Sequence, residues 1–301
     1  MSKHRQLVAC LTAPCRVTAL TNGASHRVPR MRLCIALISL SIVSSTASIA
    51  ADASRFVARN LTLNGRNYRY QVFVPDGWTA SKLWPVVLFL HGSGEAGSDN
   101  RKQMNQGLPP WLREHGADFS AVVVIPQAPE KSYWNGDSER MALQVLQHSV
   151  DEFHGDRHRL YLTGLSMGGF GAWQIAIDHP GVFAAAAIVC GAINPIADEP
   201  ALHLTGIPAG VDPYAWVATH IDRLPVWIFH GSADTVVPPT DDHRLYPALQ
   251  HAGVDVRYTE FPGVNHGSWV LAYALPGLWP WLFSHRLKSH PDAGNSSEAR
   301  P

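Results

Sequence analysis

Three side chains of this sequence, Ser166, Asp234 and His266, have the types and the order needed to cleave an acyl bond. Ser166 lies in "YLTGLSMGGFGAW" (161–173), Asp234 in "FHGSADTVVP" (229–238) and His266 in "FPGVNHGSW" (261–269). A serine hydroxyl is a weak nucleophile at neutral pH. It needs an imidazole to take its proton, and the imidazole needs a carboxylate to hold it. Gly164-Leu165-Ser166-Met167-Gly168 reads GxSxG, a strand-to-helix turn that exposes the hydroxyl, with small residues where strand and helix nearly collide. The oxyanion formed on attack needs backbone donors aimed at it. The amide of Met167 can supply one. The second falls in "LFLHGSGEAGSDN" (88–100), with Ser93 favoured and Gly92 or Gly94 as alternatives.

Other candidates have duller readings. His91 and His230 precede glycines at strand ends and suit local hydrogen bonds. His179 sits at a helix end, where a cation meets the dipole, and His243 and His251 fall on an exposed helix face. Asp241 and Asp242 are fallback acids, although they look like helix-start residues. Trp134, Trp216 and Trp269 lie near the chemistry-bearing loops and are candidates for a substrate-binding wall. No Cys/His/carboxylate run has metal-ligand spacing and no glycine loop precedes a suitable Lys, so neither a metal nor a cofactor is expected.

Elements that could position these residues alternate along the chain. Extended runs fall at 56–63, 68–75, 84–92, 121–127, 159–166, 184–191, 225–234 and 254–263, the first two joined by an Asn64-Gly65 turn. The central runs are apolar throughout, as strands covered on both faces must be. Helical spacing occupies 138–154, 168–179, 240–252 and 277–287. Strand-then-helix order predicts an α/β fold with a mostly parallel sheet and helices on both faces. The Pro/Gly-rich stretch 193–216 reads as an insertion over the carboxyl edge of the sheet that shapes a pocket.

The chain has 301 residues, 46% hydrophobic and 16% charged. Of its 24 basic groups, six lie in the first 50 residues, which contain no acidic one; the remaining 18 face 24 acidic groups, a net −6 that argues against a nucleic-acid partner. The basic start, the apolar run "LCIALISLSIV" (33–43) and the small residues "SSTASIA" (44–50) read as a signal peptide, best matched by translation from Met31. Residues 1–50 are then a leader, 55–287 the folded domain and 288–301 a polar, disordered tail. Export to the periplasm or outside the cell follows, with no stable membrane insertion after cleavage. Cys190 is the one cysteine left after residue 50. Its apolar setting makes it a buried small hydrophobe.

Together, "LFLHGSGEAGSDN", "YLTGLSMGGFGAW", "WIFHGSADTVVP" and "YTEFPGVNHGSW" resemble the α/β-hydrolase superfamily. They are most similar to its secreted prolyl-oligopeptidase-like, esterase-type branch, with feruloyl esterases and polyhydroxybutyrate depolymerases as cousins. The resemblance covers about residues 66–287. It implies a hydrolase fold without a large cap domain, catalytic roles for Ser166, Asp234 and His266, and oxyanion roles for Ser93 and Met167. The reading is a cofactor-free serine hydrolase of short acyl, aryl, feruloyl or acetyl esters, on small molecules or linked to polysaccharide. Its competitors are a small-peptide serine hydrolase and a non-catalytic binding protein on the same fold.

Overall fold

A computed structural model of the chain describes residues 55–288. The leader read over 1–50, with its start at Met31, and the tail beyond Lys288 lie outside them. The strands are β1 (Phe56–Leu63), β2 (Arg66–Phe73), β3 (Trp84–Leu90), β4 (Val122–Pro126), β5 (Gly155–Leu165), β6 (Ala185–Val189), β7 (Val226–Gly231) and β8 (Val256–Phe261). They form one sheet in the order β1-β2-β4-β3-β5-β6-β7-β8. β2 pairs antiparallel with β1 and β4, and every other pairing is parallel. Asn64 and Gly65 both take positive φ, 51° and 75°, as a tight two-residue hairpin turn requires.

Helices cover both faces: α1 (Leu108–His115), α2 (Gly136–Glu152), α3 (Met167–Asp178), α4 (Pro213–His220), α5 (Thr240–His251), α6 (Trp269–Tyr273) and α7 (Leu278–Ser284). On one face Val145, Ile175, Val217 and Leu245 close over Val86, Leu88, Leu162 and Ile228. On the other, Leu108, Leu112, Ala272 and Leu282 cover Val87, Phe89, Val123 and Phe229. The sheet is apolar on both sides because neither side meets water, the reason β3, β4, β6 and β7 lack alternation.

Several boundaries differ from the sequence expectations for physical reasons. α1 is absent from them; its two prolines, Pro109 and Pro110, sit in the first turn, where no N–H is needed. β5 starts four residues before the expected Arg159. Its polar opening is held by the buried Asp156 carboxylate, which accepts from Arg159 Nε and Arg286 Nη1, each at 2.9 Å. The expected helix over 277–287 is α7 alone, preceded by the separate short α6.

The turn between β5 and α3 is the tightest point of the fold. A Cβ on Gly164 would lie 2.1 Å from the Gly168 carbonyl oxygen, and one on Gly168 would lie 2.0 Å from the Leu90 carbonyl oxygen. Backbone leaves no room for either. Gly168→Ala is therefore expected to destabilise the protein by about 3 kcal/mol or more, because the clash is with the β3 main chain and cannot be relieved by a rotamer. Urea unfolding measures this, and a loss below about 1 kcal/mol contradicts the crowding.

Candidate active site

All the groups of the site hang from the carboxyl ends of parallel strands, where the loops are free to converge. β5 runs into Ser166, which has φ 52° and ψ −122° and stands before the first turn of α3. A bulky or branched residue is poorly tolerated at such a φ, and the strain is held by the Ser166 N–H bond to the Val189 carbonyl at 3.0 Å. The loops after β7 and β8 are laced together. Ala233 N–H donates to Val264 O at 2.9 Å, and Gly263 N–H to Ser232 Oγ at 2.8 Å. This brings Asp234 and His266 side by side.

The resulting line of contacts is short. His266 Nε2 is 2.9 Å from Ser166 Oγ, and His266 Nδ1 is 2.7 Å from Asp234 Oδ2. The carboxylate faces Nδ1, so that nitrogen carries the proton and Nε2 is free to accept from the serine. Asp234 Oδ1 accepts the N–H groups of Val236 and Val237 at 2.9 and 3.0 Å. Burial alone would raise the Asp234 carboxyl, but hydrogen bonds from His230, His266 and Val237 hold it well below the usual carboxylate range. The edge of Trp269 meets the His266 ring at 5.4 Å.

Met167 opens α3 and Ser93 opens a short 3₁₀ turn, Ser93–Glu95. First-turn N–H groups have no intrahelical acceptor, and no described residue accepts from either. The Glu95 carboxylate stands against Gly92, 3.1 Å from where a Cβ on that residue would lie, and Ser93 and Gly94 are the candidate second donors. A Cβ on Gly92 would stand 3.6 Å from Ser166 Cβ, so this loop lies directly against the serine.

A cleft of about 310 Å³ opens on Ser166, Ser93 and His266. Its apolar wall is Leu165, Ile196, Leu202, Val236, Val237 and Trp269. Ile196 and Leu202 come from the stretch expected to shape a pocket, and the Asp241 carboxylate ties that stretch to α5. It accepts from the amides of Ile193 and Asn194 at 2.9 and 2.8 Å and from Tyr214 Oη at 2.7 Å. A larger cavity of about 360 Å³ lies beside Arg66 and Arg69; Ser98 lines it, but no histidine or carboxylate does.

Trp269 lines the cleft, and the other two tryptophans singled out in the sequence do not. Trp134 is 1% exposed, and its indole donates to the His91 carbonyl at 2.9 Å. A Cβ on Gly171 would lie 2.2 Å from Trp134 Cβ, so the residue props α3 from behind. Trp216 stacks on His220 at 3.9 Å within α4, away from the cleft. Neither position was separable from pocket aromatics by sequence proximity.

His91 accepts from Ala128 N–H with Nε2 and donates from Nδ1 to Gly92 O, at 3.0 and 2.7 Å. Burial lowers its pKa to about 4, so it is a neutral buttress of the Ser93 loop. Cys190 is buried, and desolvation pushes its thiol far up. Although no metal-ligand spacing exists along the chain, folding gathers ligand atoms of Cys190, Asp234 and His266 within 4.8 Å. Two of those residues, Asp234 and His266, are already hydrogen-bonded to each other.

Comparison with known proteins places this geometry among hydrolases. The sequence profile of the prolyl oligopeptidase family matches residues 134–274. Poly(3-hydroxyoctanoate) depolymerase of Pseudomonas fluorescens is 27% identical over 232 residues, covering 70% of this chain and 77% of that protein. Feruloyl esterase C of Emericella nidulans is 28% identical over 222 residues, covering 70% and 76%. The crystal structure of a thermostable esterase superposes with a TM-score of 0.67 at 29% identity, over 78% of this chain and 64% of that one. The chain thus spans just under two thirds of that esterase's length.

Two outcomes follow from the site's bonding. Asp241→Ala strands the donors of Ile193, Asn194 and Tyr214, at about 1–3 kcal/mol for each one left buried and unmet. Turnover kinetics are expected to show a raised KM with a smaller change in kcat; an unchanged KM contradicts the role of Asp241 in holding the pocket wall. The second concerns pH. A depressed carboxyl such as Asp234 stabilises above its unfolded value of about 4 and loses that contribution as pH falls. His230, which burial alone would discharge, is held cationic by Asp234 and Asp242. A raised imidazole stabilises fully below its unfolded value of about 6.5 and loses that contribution as pH rises through the folded value. Urea midpoints should therefore peak between about pH 4 and 6.5. A midpoint that climbs steadily into alkali contradicts the assignment.

Proposed function

We propose that this chain, which belongs to the α/β-hydrolase superfamily, hydrolyses carboxylic esters through Ser166, His266 and Asp234. The observation that carries the reading is the unbroken line from Asp234 Oδ2 through the His266 ring to Ser166 Oγ, with steps of 2.7 and 2.9 Å. Ser166 Oγ attacks the ester carbonyl while His266 Nε2 takes its proton. The Met167 and Ser93 amides receive the oxyanion, helped by the positive end of α3. His266 then protonates the departing alkoxide, leaving an acyl-serine. Water, deprotonated by the same imidazole, releases the acid and restores Ser166.

The relatives named as feruloyl esterase and polyester depolymerase support an ester rather than an amide. The cleft supports a small or linear acyl group. Six of its lining residues are apolar or aromatic, and its carboxylates, Glu95 and Glu199, are accompanied by no Lys or Arg. A neutral acyl chain fits such a lining, whereas one ending in a carboxylate is repelled. No helix of the described residues is long and apolar enough to cross a membrane. The basic, apolar and small-residue blocks of 1–50 support export to the periplasm or the exterior, with 55–287 as the hydrolytic unit.

The test compares p-nitrophenyl acetate, feruloyl esters and aminoacyl-nitroanilides. The esters are expected to turn over, with acyl chains ending in carboxylate slower. Ser166→Ala should lose at least about a thousandfold in kcat and all labelling by a fluorophosphonate probe. Turnover of the anilides alone would establish a peptidase instead. Absence of labelling in folded native protein would leave a binding function.

A further inference from the structure

Behind the three residues lies a second histidine that the proposed chemistry does not use. His230, in β7, is 0% exposed. Its Nδ1 is 2.6 Å from Asp242 Oδ2, and its Nε2 is 2.7 Å from the Val237 carbonyl and 3.3 Å from Asp234 Oδ2. A carbonyl oxygen has no proton to give, and Asp234 Oδ2 already accepts from His266. His230 Nε2 must therefore be the donor. Asp242, from α5, is 1% exposed, and its Oδ1 meets no donor among the described residues. Its recorded side-chain hydrogen bonding falls entirely on His230.

Packing does not account for this arrangement. A buried ion pair usually gains little stability over apolar residues of the same volume, and an unmet carboxylate oxygen makes it worse. What the pair does achieve is geometric. Asp234 accepts two amides on Oδ1 and His266 Nδ1 on Oδ2, and the His230 ring, whose Nε2 donates to the Val237 carbonyl at 2.7 Å, stands 3.3 Å from Oδ2 as an ion pair.

We propose that His230 is a positioning residue for the acid of the triad, the Nε2 edge of its ring, 3.3 Å from Asp234 Oδ2, holding that oxygen in line with His266 Nδ1 while Asp242 and the Val237 carbonyl fix the ring. The inference rests on the triad reading above. The line of contacts then runs Asp242, His230, Asp234, His266, Ser166, from α5 to the floor of the cleft, hydrogen-bonded at every step except the 3.3 Å ion pair between His230 and Asp234. A carboxylate held by one fewer contact can swing, and its charge is less damped toward His266. Other titratable groups that face the pair are Asp241, His243, Cys190, Tyr258 and Glu260.

The test uses the full chain, p-nitrophenyl acetate and active sites counted by fluorophosphonate. His230→Asn keeps a polar group near Nδ1 but removes the Nε2 edge that faces Asp234, whereas His230→Gln can present an N–H near the Nε2 position. His230→Asn is expected to lose about ten- to a hundredfold in kcat per labelled site, one charge-assisted contact's worth, with KM changed by less than about twofold. The acidic limb of its kcat/KM profile should move to higher pH, and His230→Gln should recover most of kcat. A merely structural role would lower thermal stability in both variants and leave kcat per site and the limb unmoved; that result overturns the inference, as does His230→Gln being no better than His230→Asn. Should His230→Asn not fold, ¹⁵N spectra of the native protein must show one buried histidine Nε2 protonated across the active pH range, and a deprotonated Nε2 overturns it equally. Native protein that neither labels nor turns over would instead defeat the triad reading itself.

Discussion

One carboxylate oxygen carries the arrangement: Asp234 Oδ2 takes His266 Nδ1 at 2.7 Å and has His230 Nε2 at 3.3 Å. An ionised carboxylate is acceptor-only, so each ring nitrogen aimed at it has to bear its proton. In the neutral ring of His266 that condition puts the lone pair on the opposite nitrogen, which points at Ser166. Orientation and tautomer thus come from one burial problem. A carboxylate removed from water has to be met by donors and opposite charge, and here it meets the two amides of its own loop, the His266 ring and, at 3.3 Å, the His230 ring.

The sheet makes this condition affordable to satisfy with loops that are otherwise short. β5, β7 and β8 are parallel, so their following loops open on the same edge. The loops after β7 and β8 also brace one another, as Ala233 N–H to Val264 O shows. At the neighbouring turn the constraint is steric instead. Gly164 and Gly168 let β5, α3 and the end of β3 approach so closely that Ser166 is forced into its positive φ and out toward the cleft. The Ser93 loop is held against the serine by the neutral His91 and, one layer further back, by Trp134.

Much of this was legible in the chain. Asn64-Gly65, the apolar runs of the central strands and the glycines around Ser166 each have a local cause that acts wherever the sequence folds. The identities of Ser166, Asp234 and His266 follow from order and from position at strand ends. What escaped was whatever depends on a partner far along the chain. Asp156 hides β5's first turn of residues inside a polar run because its partners are Arg159 and Arg286. Asp241 and Asp242 look alike in sequence, yet one clamps the pocket wall and the other faces His230.

The sequence by itself determined the strand–helix alternation, the elbow and the residue types that can attack, deprotonate and orient, since these rest on local backbone preference and on side-chain chemistry. Only the tertiary structure decided which aromatic ring reaches the cleft, Trp269 rather than Trp134 or Trp216, and that His230 stands behind Asp234. Those choices depend on distances between segments tens of residues apart, and such distances are set by how the two faces of the sheet are packed.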